Sequence, residues 1–181
     1  RVKKLVRELI IEIGEDPTRE GLKDTPERIA NMYQEIFDGY ESDSELSVQF
    51  SEDSDVVIAR NIQFYSMCEH HMLPFFGKIH IAYSPNGRVF GISKLVRLVE
   101  KYSKRLQIQE RLTKNIADEL FAQGVKGVVV LADAEHFCMK MRGVRNDAIL
   151  TTSAYRGIYE NREEKENIMT MIRRRTSDIS L

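Results

Sequence analysis

The sequence predicts an α+β domain with an antiparallel sheet and paired helices, preceded by an N-terminal helical arm. Three observations carry this. Apolar residues fall into helical and strand periods in pairs: two helices, two strands, two helices, two strands and a terminal helix. A parallel sheet would need strict alternation of strand and helix instead. The chain has 181 residues, enough for one compact unit that buries roughly two-thirds of its unfolded surface. Neither an internal repeat nor a linker divides it, so the expectation is a single structural unit, with the arm over residues 1–45 and the main body over 46–181.

The elements follow in chain order. Val2, Leu5, Val6, Leu9, Ile10 and Ile13 recur at helical spacing, predicting a helix over 2–14. Asp24-Thr25-Pro26-Glu27 reads as a helix start with proline near the first helical position. Ile29, Met32, Tyr33, Ile36 and Phe37 form that helix's apolar face, and Gly39 is expected to end it. Residues 41–55 carry six Asp or Glu and read as a polar surface excursion. Val56, Ile58, Ile62 and Phe64 alternate as in a half-buried strand, and so do Ile79, Ile81 and Tyr83. Ser84-Pro85-Asn86-Gly87 is a turn. Two helices are expected over Ser93 to Leu106 and Gln109 to Gln123. Val128 to Leu131 is a buried strand, Ile149 to Tyr155 a fourth strand, and Glu163 to Arg175 a charged terminal helix. The Arg173-Arg174-Arg175 run is read as its solvated, dipole-compensating end.

Composition narrows the function. The apolar fraction is 42%, the charged fraction 30% and the formal net charge -1. No global basic field draws in nucleic acid, and no apolar run is long enough to span a bilayer. The chain opens on Arg1 without a signal-peptide pattern. Two cysteines do not make a disulfide framework in a chain of this length. The expectation is a cytoplasmic protein with two thiols available for metal or chemistry.

Both cysteines and three of the four histidines concentrate in two short segments, Cys68-Glu69-His70-His71 and His136-Phe137-Cys138, each at the end of a predicted strand. The C-x-x-H spacing lets Cys68 and His71 reach one ion from a single turn, and Cys138 could supply a third ligand from a neighbouring strand. Thiolate and imidazole favour zinc among the common ions. Two Cys and one His leave a tetrahedral ion with one open position, the pattern of catalytic sites. A fourth ligand, His70 or His136, would close the site into a structural one, and spacing alone leaves both readings open.

Cys68-Glu69-His70-His71, Gly91-Ile92-Ser93-Lys94-Leu95, Gln109-Glu110-Arg111-Leu112-Thr113 and His136-Phe137-Cys138-Met139 resemble four signature segments of the GTP cyclohydrolase I family. Asp24-Thr25-Pro26-Glu27-Arg28 resembles a fifth. They stand in the family's order, and the resemblance spans residues 2 to 175. It implies a T-fold subunit in a homodecamer with each active site at a subunit junction. It implies Cys68, His71 and Cys138 as zinc ligands, and His70, His136 and Ser93 as catalytic residues. The activity implied is hydrolytic opening of the GTP imidazole ring at C8, formate release and rearrangement to 7,8-dihydroneopterin triphosphate, the first step of folate- and biopterin-type pterin synthesis.

Each of these residues also has a reading of its own. Imidazoles suit proton transfer to N7. Glu110, with Gln109, opens a helix where a carboxylate could accept from N1–H and N2–H of guanine, a pair that adenine lacks. Ser93 and Lys94 open another helix, where free N–H groups favour an anion. Arg97 lies one turn on, and Arg28 and Arg142 complete a scattered set of cations for the triphosphate. Some family members carry Lys three residues after the Asp24-Thr25-Pro26-Glu27-Arg28 arginine, where Asn31 stands here. Two other functions compete with this one: a T-fold reductase that uses a catalytic cysteine and NADPH, and a non-catalytic zinc module.

Overall fold

The computed structural model describes residues 1–42, 46, 49–52 and 54–173. The chain forms two compact units, residues 1–38 and 39–181. The smaller holds two amphipathic helices, α1 (Val2–Glu12) and α2 (Thr25–Ile36). Val6 and Ile10 are buried on α1, and α2 has Pro26 in its first turn, where the missing N–H has no intrahelical partner to lose.

Gly39 was expected to end α2, but the helix stops at Ile36 and the glycine has another task. A Cβ on Gly39 would lie 2.6 Å from the Lys101 carbonyl oxygen and 2.7 Å from that of Lys104. The larger unit takes up the chain here. Gly39 N–H donates to Lys104 O at 3.2 Å, and Arg105 donates twice to Gly39 O, at 2.9 and 2.6 Å.

The larger unit contains β1 (Gln49–Ser51), β2 (Val57–Cys68), β3 (Pro74–Ser84), β4 (Arg88–Phe90), α3 (Ile92–Ser103), β5 (Leu106–Gln107), α4 (Gln109–Phe121), β6 (Gly127–His136), α5 (Phe137–Lys140), β7 (Leu150–Gly157) and α6 (Arg162–Arg173). Five strands form one sheet in the order β5-β2-β3-β6-β7, antiparallel except for the parallel β5–β2 pair. The expected α+β class and antiparallel pairing are both present. Three details differ. Leu106 is in a strand rather than a helix, because it pairs with Met67. Part of the 41–55 excursion is ordered, with residues 49–51 pairing antiparallel with 88–90; residues 43–45, 47–48 and 53 lie outside the described residues. The strand alternation also slips between Ala59 and Ile62, where a bulge inserts a residue into β2 and Asn61 takes φ +60°. Arg174 and Arg175 lie outside the described residues.

One face of the sheet packs under α3 and α4. Leu95, Leu98 and Val99 of α3 and Leu112, Ile116, Ala117 and Leu120 of α4 meet Phe64, Phe75, Ile79, Ile81, Val128 and Val130 in the main core. Each large apolar side chain buried here contributes roughly 1.5–3 kcal/mol. On the opposite face, Ile168 and Ile172 of α6 close over Ala82, Val129, Leu131 and Tyr159. β6 is covered on both sides, which is why Val128 to Leu131 form an unbroken apolar run.

The strand order decides where function can sit. β3 lies between β2 and β6, so the end of β2, the start of β3 and the end of β6 share one sheet edge. Phe75 pairs with His136 there, and Cys68 pairs with Gln107 just before α4 begins.

Candidate active site

The Cys68–Leu73 segment is a tight connection between β2 and β3. Cys68 N–H donates to Leu73 O, and Met72 N–H donates to Cys68 O, both at 2.8 Å. Met72 takes φ +52° to close the turn. His136 ends β6, and Cys138 lies in the single turn of α5 that follows.

These segments converge. Ligand atoms of Cys68, His71 and Cys138 all lie within 4.8 Å of one another. Cys68 Sγ is 3.9 Å from His71 Nδ1. Tetrahedral zinc with Zn–S near 2.3 Å holds its donors roughly 3.5–3.8 Å apart, so the cluster is close to the size a metal needs. Burial raises the Cys138 thiol above its ordinary range, and the neighbouring Cys68 raises it further. Two thiols in one pocket with an imidazole are the soft donor set suited to a metal ion. His70 Nδ1 also lies 3.9 Å from Cys68 Sγ, but the described cluster does not include it.

His136 is held differently. Its Nε2 is 2.8 Å from Gln109 Oε1, and its ring stacks on Phe75 at 4.7 Å and 5°. Burial lowers its pKa, while the Glu110 charge acts in the opposite sense. Gln109 is held by the same part of the sheet. The side chain is buried, and its amide nitrogen is spent on the carbonyls of Ala132 and Leu150. It therefore has no amide N–H to offer a ligand. Glu110, the next residue, is exposed and lines a shallow groove with Lys114, Ser153, Tyr155 and Arg156.

Arg142, just past α5, is exposed and reaches His71, with 3.0 Å from Nη1 to Nε2. Ser93, Lys94 and Arg97 occupy the first turns of α3 after Gly91. Among the described residues, no hydrogen bond or ion pair joins these three to the metal cluster. Arg28 belongs to the N-terminal unit, where it pairs with Asp24 at 3.6 Å, and Asn31 is on the same helix.

Sequence reasoning assigns no role to Glu69 or Arg111, although both lie in motif segments, Cys68–His71 and Gln109–Thr113. Arg111 donates to both Glu69 oxygens, at 2.6 and 3.1 Å, and lowers the Glu69 pKa. Glu69 N–H also donates to Gln107 O at 3.1 Å. The turn that bears Cys68 and His71 is thereby tied to the start of α4, which bears Glu110. The signal was the charge complementarity of the two motifs, but a separation of 42 positions along the chain hid it. His80 stands apart on the other sheet face, where its Nδ1 accepts from Asn61 N–H at 3.4 Å.

A family model described as GTP cyclohydrolase I matches residues 2–173. The chain belongs to the GTP cyclohydrolase I family. It is 51% identical over 174 residues to GTP cyclohydrolase 1 of Hyperthermus butylicus, covering 95% of this chain and 90% of the relative. The enzyme of the same name from Clostridium kluyveri is 52% identical over 172 residues, covering 92% and 93%. Among solved structures, an archaeosine synthase QueF-like protein in its apo form matches with a TM-score of 0.50 and 17% identity, over 59% of this chain and 97% of that one. That likeness is one of fold, and it agrees with a T-fold sheet backed by two helices. The Cys68, His71 and Cys138 cluster thus sits in a family whose members are enzymes. No helix among the described residues is long and apolar enough to cross a membrane.

Proposed function

We propose that the chain is a zinc-dependent GTP cyclohydrolase I, with the metal held by Cys68, His71 and Cys138. The observation that carries this is the convergence of those three donors at one sheet edge in a chain of this family. Three protein ligands leave an open position, and zinc bound there would supply Lewis acidity and a water acidified to near neutrality.

The chain's own residues do the rest. His70 and His136 flank the ligands and move protons: one reaches N7 as water adds at C8 and the ring opens, and others pass as the formamide is hydrolysed to formate. The ribose then opens, rearranges and closes onto the freed amine, giving 7,8-dihydroneopterin triphosphate. Ser93, at the start of α3, is assigned to the catalytic set. Glu110 accepts from N1–H and N2–H and so selects guanine. Lys94, Arg97 and Arg142 neutralise the triphosphate, with Arg28 supplied across a subunit boundary, as the family resemblance implies.

The family resemblance implies a homodecamer with active sites at subunit junctions, acting in the cytoplasm. Residues 141–150 are exposed throughout, with Val144 75% and Ile149 63% accessible, and offer surface for such a junction. The test is direct. Zinc-loaded protein is incubated with GTP, and formate and an oxidised fluorescent pterin are measured. Stoichiometric zinc with no formate would replace this reading with a nucleotide-binding zinc module.

A further inference from the structure

The side-chain amide of Gln109 has one orientation open to it. Its Nε2 donates to Ala132 O at 3.0 Å and to Leu150 O at 2.9 Å, which uses both amide protons. Turned over, the amide would set its oxygen against two carbonyl oxygens in a place where the residue is only 1% exposed. Buried acceptors facing one another without a donor are strongly unfavourable. The two carbonyls belong to adjacent strands, β6 and β7, so the frame that holds the amide is the sheet itself.

Oε1 is then an acceptor, 2.8 Å from His136 Nε2. Only an N–H on Nε2 satisfies it. A neutral imidazole protonated at Nε2 has its lone pair on Nδ1. Stacking on the fully buried Phe75 ring fixes the plane of the imidazole, and a half-turn within that plane would put a ring carbon in place of Nε2 and lose the bond to Oε1.

We infer that Gln109 is a positioning residue: it fixes His136 in the Nε2–H tautomer and holds its ring in place, leaving Nδ1 as the ring nitrogen that carries the lone pair. This rests on the proposed reading of the site as one that opens GTP. It moves Gln109 from the substrate-binding set to the support of a catalytic histidine, and it leaves base recognition to Glu110.

Neutron diffraction from the zinc-loaded wild-type protein reads the tautomer without any substitution. A deuteron on His136 Nε2, directed at Gln109 Oε1, is expected, and a bare Nε2 overturns the inference. Kinetics give the second readout. Gln109→Leu, of similar volume, should lower kcat about 10- to 100-fold, as loss of a supporting hydrogen bond does, with KM for GTP and zinc content unchanged. A rise in KM at constant kcat would make Gln109 a substrate contact, and loss of zinc would make it structural; either result defeats the inference. A wild-type protein that releases no formate defeats the activity reading instead, and the deuteron position still decides what Gln109 does.

Discussion

Arg142 Nη1 lies 3.0 Å from His71 Nε2, so a cation assigned to the triphosphate touches a residue assigned to the metal. The contact places a permanent positive charge beside the cluster. Neutralising it with Arg142→Gln should raise KM for GTP about tenfold, the equivalent of ~1.4 kcal/mol. Guanosine binding should change far less, since guanosine has no phosphate, and GTP binding should weaken as salt rises. Titrations of GTP and guanosine against wild type and variant provide the comparison. An equal loss for both ligands would make Arg142 structural.

Metal content separates ligands from their neighbours. Cys138→Ser should lose zinc and activity together while the circular dichroism spectrum is retained. His70→Ala and His136→Ala should keep zinc and lose kcat by about 10²–10⁴-fold, the usual contribution of acid–base catalysis. Atomic absorption on the purified variants, alongside formate release, makes the distinction. Zinc loss in His70→Ala as complete as in Cys138→Ser would make His70 a ligand and close the open position.

Glu110→Gln tests base recognition. An amide cannot accept from both N1–H and N2–H as a carboxylate does, and charge-assisted bonds are the stronger kind. GTP affinity should fall about ten- to hundredfold. Calorimetric titration with GTP checks this, and unchanged affinity would remove Glu110 from the base site.

A structural prediction concerns Tyr102. Its hydroxyl donates to Glu119 Oε2 at 2.5 Å between α3 and α4, and Lys101 donates to both oxygens of the same carboxylate. Burial, then the hydrogen bond to Glu119, push the Tyr102 pKa up to about 12. The folded value is above the unfolded value near 10, so the folded state holds this proton more tightly. The resulting stability is fully present below pH ~10 and is lost as pH rises towards ~12. Urea midpoints of wild type and Tyr102→Phe should therefore differ by a constant amount up to pH ~10 and converge as the pH approaches ~12. A gap that stays constant from pH ~10 to ~12 would show that the hydroxyl carries no such linkage.

The main elements were legible because each is a local pattern. The helical period of Leu95, Leu98 and Val99 and the unbroken run Val128 to Leu131 record burial directly, since one covered face selects every third or fourth residue and two covered faces select every residue. The short elements were not legible. β5 is two residues long and is a strand only because Leu106 and Gln107 meet Met67 and Cys68. The bulge at Asn61 likewise depends on what β3 presents opposite.

For the site, the sequence by itself determined the chemistry: soft donors at C-x-x-H and H-x-C spacing, histidines beside them, a carboxylate at a helix start, and motifs specific enough to point to the family. Tertiary structure alone decided which groups touch. The order β5-β2-β3-β6-β7 brings residues as far apart as His71 and Arg142, 71 positions, to one sheet edge. It turns Gln109 inward onto two backbone carbonyls while leaving Glu110 exposed, a difference no pattern at two adjacent positions could reveal. Residue type fixes which bonds a group can make, but its partners depend on strand pairing across long stretches of chain, and that pairing is set by burial of the whole sheet rather than by any local spacing.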